Sequence, residues 1–176
     1  LHSGNAEDVT ERLDRGILDF GILIQPTDIS RYDSLPLPLK DTWGLILRRD
    51  HPLAKRKTIR PADLADVPLF LSRQTFRNGK LTGIIADWFG EWGSSLKVAG
   101  TYNLIFNAAL LIRAGMGCAL GLAGLINATS QSDLCFRPLS PKLEVGLNIV
   151  WKKNRIFSDA AEKFLERMKE IFTAGK

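Results

Sequence analysis

The chain has 176 residues, of which 45% are hydrophobic and 24% charged, the composition of an ordinary soluble globular protein. No apolar run approaches the ~20 residues that a membrane-spanning helix needs, and no signal-peptide pattern appears in a chain that begins at Leu1 rather than Met. The two cysteines, Cys118 and Cys135, exclude a disulfide framework, and a reducing, cytoplasmic setting fits them best.

The net charge of +5 is concentrated in one window of the sequence. Six basic residues and one acidic residue, Asp50, lie between Arg48 and Arg60, and the charges of the remaining chain cancel. A basic patch can attract nucleic acid or an acidic partner. Because this window has no interleaved aromatic residues and no recognition-helix pattern, a solvated loop is the favoured interpretation.

The first elements in chain order are a capped helix and an apolar strand. Asn5 is placed to cap a helix with an apolar stripe at Val9 and Leu13, and Gly16 is placed to end it. The nearly continuous apolar run 17–24 predicts a strand that is buried on both faces of a parallel sheet. Residues 25–40 contain three prolines and are predicted to form a loop.

Two apolar runs, Trp43–Leu47 and Leu147–Trp151, are each followed by a basic pair and are predicted to be paired strands. The predicted elements between them include a strand at Val67–Leu71, a helix with a core face from Leu81 to Trp92, a strand at Leu96–Thr101 and a buried helix at Leu104–Ile112. Strands alternate with helices, and this order predicts an α/β chain with mostly parallel sheets.

Residues with catalytic potential are scarce. His2 and His51 have no partners at metal-ligand spacing, so no metal is expected. Nucleophile-elbow, Walker and dinucleotide-binding motifs are absent from the sequence. A structural role is favoured over acid–base chemistry for Asp19, and the sequence predicts neither an enzyme nor a cofactor.

Binding is better supported than catalysis, because polar segments follow three predicted strand ends and run toward helix N-termini. Ligands of open α/β sheets lie beyond the carboxyl ends of the strands, and helix N-termini favour anions. The candidate ligand-binding residues are Ser3, Gly4, Asn5, Ser72, Arg73, Gln74, Thr75, Asn78 and Thr101.

Segments along nearly the whole chain resemble one known family. They include Gly16-Ile17-Leu18-Asp19-Phe20-Gly21-Ile22, Asp50-His51-Pro52-Leu53-Ala54, Ala114-Gly115-Met116-Gly117 and Val150-Trp151-Lys152-Lys153. In content, order and spacing they resemble the effector-binding (substrate-binding) domain of LysR-type bacterial transcriptional regulators.

The resemblance implies a type 2 periplasmic-binding-protein-like fold, in which two antiparallel crossover strands join two α/β lobes. Lobe I is expected at 1–42 and 150–176, and lobe II at 43–149. A small molecule, often an anion, is expected in the interlobe cleft, and the basic window becomes the turn into lobe II. The resemblance also implies a homo-oligomer when full-length, no membrane contact, and DNA binding only through an N-terminal helix-turn-helix domain that this sequence lacks.

The sequence departs from the family pattern at its start, where the first strand and first helix of lobe I are missing. Lobe I is therefore expected to be loosened, or completed by residues outside this sequence, since an unpaired sheet edge exposes backbone groups and apolar surface. A solute-binding protein of a transport system with the same fold is the alternative function. An enzyme on this fold would need an acid and a base, which the sequence does not offer.

Overall fold

A computed structural model describes residues 1–125 and 132–173 of the chain. The chain divides into two compact units, called unit 1 (Leu1–Lys40 with Val145–Lys176) and unit 2 (Asp41–Glu144). The division into two lobes remains a prediction from the sequence, with lobe I at 1–42 and 150–176 and lobe II at 43–149.

Helices and strands alternate over most of the described residues. The helices are α1 (Ala6–Asp14), α2 (Gly83–Phe89), α3 (Ile105–Arg113) and α4 (Asp159–Thr173). The strands are β1 (Gly21–Ile24), β2 (Tyr32–Arg48), β3 (Leu69–Ser72), β4 (Phe76–Arg77), β5 (Lys80–Leu81), β6 (Val98–Tyr102), β7 (Cys118–Leu122), β8 (Leu134–Pro138) and β9 (Glu144–Lys152). Short 3₁₀ turns occupy Pro52–Lys55, Pro61–Leu64 and Gly90–Ser95.

Unit 1 is a small sheet in the order β1-β9-β2, with helices packed on it. β1 pairs antiparallel with β9, from Gly21 opposite Val150 to Ile24 opposite Leu147. One apolar cluster joins Val9 and Leu13 of α1 to Leu23, Tyr32 and Val150. A second cluster joins Ile149, Trp151 and Leu165, with Phe20, Leu35, Leu37, Phe157 and Met168 packed against it.

Two predictions for unit 1 are wrong in part. The strand predicted at 17–24 is confined to Gly21–Ile24, and it is antiparallel with alternating burial, since Leu23 is buried and Ile22 is 57% exposed. The predicted loop 25–40 contains the first half of β2. The strand tolerates Pro36 and Pro38 because residues two apart direct their N–H positions to the same strand edge, so both missing donors fall on one side.

Unit 2 contains a mixed sheet in the order β2-β7-β3-β6, with β8 also paired to β2. β3 is parallel to both β6 and β7, whereas β2 is antiparallel to β7 and β8. The expectation of mostly parallel sheets is therefore wrong, because the long strands β2 and β9 pair antiparallel with their neighbours β7, β8 and β1. The core of the unit includes Ile46, Phe70, Tyr102, Ile105, Ala109 and Ile112.

Two helices of unit 2 differ from prediction. The helix predicted from Leu81 to Trp92 spans only Gly83–Phe89 in the structure. Leu81 belongs to a hairpin strand before it, and the chain continues from Gly90 as a 3₁₀ turn. The apolar helix α3 is not fully buried, since Phe106 and Leu110 are each 62% exposed. Its periodicity did not reveal this because nearly every position is apolar, so no polar face marked the solvent side.

Candidate ligand-binding site

The carboxyl ends of β3, β6 and β7 lie at one edge of the unit 2 sheet, because these strands are parallel. Leu71 is in register with Thr101, and Ser72 is in register with Tyr102. The backbone N–H of Arg73 donates to the Tyr102 carbonyl oxygen at 2.9 Å. The structure therefore brings the predicted segment Ser72–Thr75 together with predicted residue Thr101.

The segment after β3 is a tight turn fixed by its own hydrogen bonds. The Ser72 carbonyl oxygen accepts from the backbone N–H and the hydroxyl of Thr75, both at 3.0 Å. The Ser72 hydroxyl accepts from the Gln74 N–H at 3.2 Å. The Thr82 hydroxyl donates to the Gln74 carbonyl oxygen at 2.9 Å, which ties the turn to the start of α2.

A hairpin, β4 and β5, separates this turn from α2. Asn78 and Gly79 have φ angles of 50° and 76°, the left-handed pair that closes a two-residue hairpin. The expectation that 72–78 runs into a helix N-terminus is therefore wrong, since α2 begins only at Gly83. Asn78 remains a predicted site residue, and its observed position is the hairpin turn.

Arg73 supplies the positive charge at this edge. Its side chain is exposed, and within 1–125 and 132–173 the structure gives its guanidinium no hydrogen bond and no ion pair. An arginine fork without a carboxylate partner is suited to bind a carboxylate or phosphate group with two parallel hydrogen bonds.

The N-terminus of α3 adjoins the same strand ends. Thr101 is exposed, and the following residue, Tyr102, is buried with its hydroxyl donating to the Leu120 carbonyl oxygen at 2.5 Å. Burial raises the pKa of Tyr102 above its ordinary value, so the phenol stays neutral and structural. Asn103 is a further candidate residue, and its Oδ1 accepts from the Leu104 N–H at 2.9 Å. It is not among the nine predicted residues, but its position between a predicted strand and a predicted helix is a signal that points to it.

The third predicted segment, Ser3–Asn5, lies in unit 1 at the start of α1. The predicted cap is confirmed, because the Asn5 side chain accepts from the Asp8 N–H at 2.9 Å. The Asp8 carboxylate contacts His2 and Arg12, and these hydrogen bonds, His2 first, lower the pKa of Asp8. A Cβ at Gly4 would overlap that carboxylate, so a larger residue at this position would displace the Asp8 side chain.

The electrostatics of the two segments differ. The first turn of α1 carries its own acids, Glu7 and Asp8, which already complement the positive end of the helix dipole. The turn at Ser72–Thr75 carries an arginine with no acidic partner among the described residues. An anionic group is therefore better accommodated at Arg73 than at the start of α1.

Catalytic and metal chemistry find no support in the part of the chain that the structure describes. No group of three His, Cys, Asp or Glu side chains there is arranged to hold a metal ion. Asp19 is ion-paired with Arg155 at 2.9 Å, as its predicted structural role requires. Both cysteines are buried and free, and burial raises the pKa of the Cys118 thiol to about 12, which disfavours the nucleophilic thiolate. The helices in 1–125 and 132–173 include none that is long and apolar enough to cross a bilayer.

An α/β chain of two compact units, with polar segments beyond parallel strand ends, has the features of a ligand-binding domain. The family model for the LysR substrate binding domain matches residues 1–173, and the chain belongs to this family. The predicted family and the type 2 periplasmic-binding-protein-like α/β fold are thus confirmed.

The relatives are transcriptional regulators. The chain is 30% identical over 175 residues to the uncharacterized HTH-type transcriptional regulator YvbU of Bacillus subtilis, covering 99% of this chain and 57% of that protein. It is 29% identical to the Hca operon transcriptional activator HcaR of Escherichia coli, covering 83% of this chain and 49% of the relative. The chain therefore spans about half the length of these curated relatives.

Solved structures share the fold at low sequence identity. The effector binding domain of QuiR in complex with shikimate superposes with a TM-score of 0.78 and 18% identity, covering 98% of this chain and 80% of that one. The regulatory domain of Synechocystis PCC6803 CcmR in complex with 2-PG gives a TM-score of 0.72 and 18% identity, covering 97% and 81%.

Proposed function

We propose that this chain is the effector-sensing domain of a LysR-type bacterial transcriptional regulator and that it binds a small anionic molecule. The observation that carries the proposal is the LysR substrate-binding domain match over residues 1–173. Because the match is to regulators, a regulatory role is favoured over the alternative of a solute-binding protein of a transport system.

The nine candidate residues remain proposed ligand-binding residues, namely Ser3, Gly4 and Asn5 in unit 1, and Ser72, Arg73, Gln74, Thr75, Asn78 and Thr101 in unit 2. Arg73 is assigned the main electrostatic role because its guanidinium is exposed and carries no partner among the described residues. The turn hydrogen bonds at Ser72 and Thr75 support this assignment, since they fix the backbone from which Arg73 extends.

The effector is proposed to act on DNA binding through a helix-turn-helix domain of the full-length protein. A ligand shifts a conformational equilibrium only as far as it binds the two states with different affinity. A homo-oligomer and a cytoplasmic location belong to the same proposal. The exposed side chains of Phe106 and Leu110, one turn apart on α3, support oligomer formation because contiguous apolar surface marks interaction sites.

The domain is proposed to bind and not to catalyse. The support is the regulator family together with the surroundings of the titratable groups, since Asp19 is held by Arg155 and Cys118 is buried. Neither side chain is arranged as an acid, a base or a nucleophile.

The Arg73→Ala substitution tests the site. Loss of a charged hydrogen bond costs on the order of 1.5–3 kcal/mol, so the Kd for an anionic effector is expected to rise roughly 10- to 150-fold. Small carboxylates and phosphates are first screened by thermal shift, starting with shikimate and 2-PG, which are bound in two structural neighbours. Hits are then measured by calorimetric titration.

Arg113→Ala is the matched control. Arg113 is the last residue of α3, at the opposite end of the helix from Thr101, and it is exposed like Arg73. The control is expected to leave the Kd unchanged within about twofold, a difference well below 1 kcal/mol. An unchanged Kd in Arg73→Ala, or an equal loss in both variants, would overturn the assignment of Arg73.

A further inference from the structure

The basic window that first suggested a nucleic-acid or acidic partner is not used by the proposed effector site. Part of it lines an open groove in unit 2 with a volume of about 360 Å³. The groove lies between the 3₁₀ turn Pro52–Lys55, the residues that follow it and strand β8. It is lined by Ala54, Lys55, Arg56, Lys57, Phe136, Arg137 and Pro138.

Arg137 is a fixed cation in the wall of this groove. Its Nε and Nη2 donate to the Ala54 carbonyl oxygen at 2.9 and 2.6 Å, and its Nη1 donates to the Phe136 carbonyl oxygen at 2.8 Å. Backbone carbonyls hold the guanidinium in place but do not neutralise it, and no carboxylate pairs with it in the described part of the chain. Two of the five N–H donors of an arginine remain for a ligand.

The other cations of the groove differ in how far they are neutralised. Arg56 is ion-paired with Asp63 at 3.2 Å. The structure gives the exposed ammonium groups of Lys55 and Lys57 no partner within 1–125 and 132–173. Fixed and free cations therefore line one concavity with a net positive charge, and the half-buried Phe136 and Pro138 add apolar surface to it.

The walls of the groove are held by backbone pairing. The Ala54 N–H donates to the His51 carbonyl oxygen at 2.8 Å, which closes the 3₁₀ turn. The Ile59 N–H donates to the Pro138 carbonyl oxygen at 2.9 Å, and the Ser140 N–H donates to the Ile59 carbonyl oxygen at 2.7 Å. These bonds join the basic segment to the end of β8 and fix the backbone that carries the cations. Because this backbone is already ordered, binding a ligand costs less conformational entropy.

We propose that this groove is a second anion-binding site, separate from the effector site, for a small multivalent anion that carries phosphate or carboxylate groups. A small ligand is favoured over a DNA duplex because the cations line one concavity and do not form a stripe along an extended face. Arg137 binds one oxyanion through its two remaining donors, and Lys55 and Lys57 bind the remaining charge.

The test uses pyrophosphate and citrate as probes and acetate as a monovalent comparison, in about 150 mM NaCl so that weak surface attraction is screened. Amide NMR titration is expected to give saturable shifts at Lys55–Lys57 and at Phe136–Arg137 with pyrophosphate or citrate, and none with acetate. The double variant Lys55→Gln/Lys57→Gln is expected to raise the Kd about tenfold or more, as the loss of two charged hydrogen bonds requires.

The control variant is Lys40→Gln/Lys163→Gln, which removes the same charge from exposed lysines outside the groove. An equal rise of the Kd in both double variants, or no saturable shift in the groove, would overturn the proposal. Shifts confined to Ser72–Thr75 and Thr101 would do the same, because the anion would then occupy the effector site. A 30-base-pair duplex is added in a separate arm, and duplex binding at the groove that pyrophosphate does not displace would assign the surface to nucleic acid instead.

Discussion

At the scale of single residues, two glycines in long strands differ in the space available to a side chain. A Cβ at Gly44 in β2 would overlap the ring of Phe136 and lie 2.5 Å from the Arg137 carbonyl oxygen. A Cβ at Gly146 in β9 would meet nothing within 4 Å. Gly44 is therefore required by close packing between β2 and β8, and Gly146 is not.

The substitutions Gly44→Ala and Gly146→Ala form a matched pair for chemical denaturation. Overpacking typically costs about 1–3 kcal/mol, so Gly44→Ala is expected to lower the free energy of unfolding by at least about 1 kcal/mol. Gly146→Ala is expected to change it by less than about 0.5 kcal/mol, or to raise it slightly by restricting the unfolded chain. Equal losses in both variants would contradict this account of Gly44.

Single residues were also where sequence reasoning succeeded most clearly. The Asn5 cap is local, because an asparagine before an apolar-periodic segment has its hydrogen-bond partner three residues away. The unpaired state of Arg73 was not predictable in this way. It depends on which acidic side chains the fold brings near the turn, and the sequence does not encode those distances locally.

At the scale of elements, β1 and β3 differ in how many neighbours they have. β3 lies between β6 and β7, whereas β1 is the last strand of its sheet and pairs only with β9 among the described residues. Ile22, at the centre of β1, is 57% exposed. An edge strand with exposed apolar surface is expected to open more readily than a strand paired on both sides.

Amide hydrogen exchange of the chain tests this difference. The β1 amides of residues 22–24 are expected to exchange at least ~100-fold faster than those of β3, since local opening at an edge needs much less free energy than global unfolding. Equal protection of β1 and β3, together with a single two-state melting transition, would show that unit 1 is not loosened. The expectation that lobe I is loosened would then be wrong.

The elements also show where periodicity fails as a predictor. The first half of β2 was predicted to be a loop because Pro36 and Pro38 usually mark loops, although they are tolerated in a strand when both missing donors face one edge. The predicted helix is longer than α2 because Leu81 and Trp92 fit the apolar stripe of the helix. In the structure Leu81 lies in a hairpin strand and Trp92 lies in a 3₁₀ turn. The spacing of apolar residues indicates which residues can share a face of a helix. It does not indicate where the backbone hydrogen-bond pattern changes, so it does not define where a helix ends.

At the scale of the whole molecule, effector binding is expected to stabilise the fold. A ligand that binds only the native state adds about 2.7 kcal/mol at a concentration of 100 times the Kd. For a chain of this size the Tm is expected to rise by about 5–10 °C. Differential scanning calorimetry at increasing effector concentration measures this rise.

The same measurement separates the effector from a non-specific additive. In Arg73→Ala the Tm rise is expected to be smaller at the same concentration, whereas Arg113→Ala is expected to keep the full rise. A Tm increase that is equal in the wild-type chain and in Arg73→Ala would mean that the compound stabilises the fold without using this arginine.

The sequence by itself determined the family, the α/β class and the positions of the polar segments that follow strands. These follow from local patterns, namely the capped α1, the segment from Gly16 to Ile22 and the turn around His51-Pro52, whose conformations depend on residues close in sequence. The family match over residues 1–173 agrees with that reasoning.

Only the tertiary structure decided which segments meet. The register of β3 with β6 brings Arg73 to Thr101, and the pairing of β8 with β2, together with the bridge from Ile59 to Leu139, brings Arg137 to the basic window. Residues 29 and 83 positions apart become neighbours, as the hydrogen bonds from Arg73 to Tyr102 and from Arg137 to Ala54 show. Such contacts follow from strand order and register, which long-range pairing sets and no local pattern specifies.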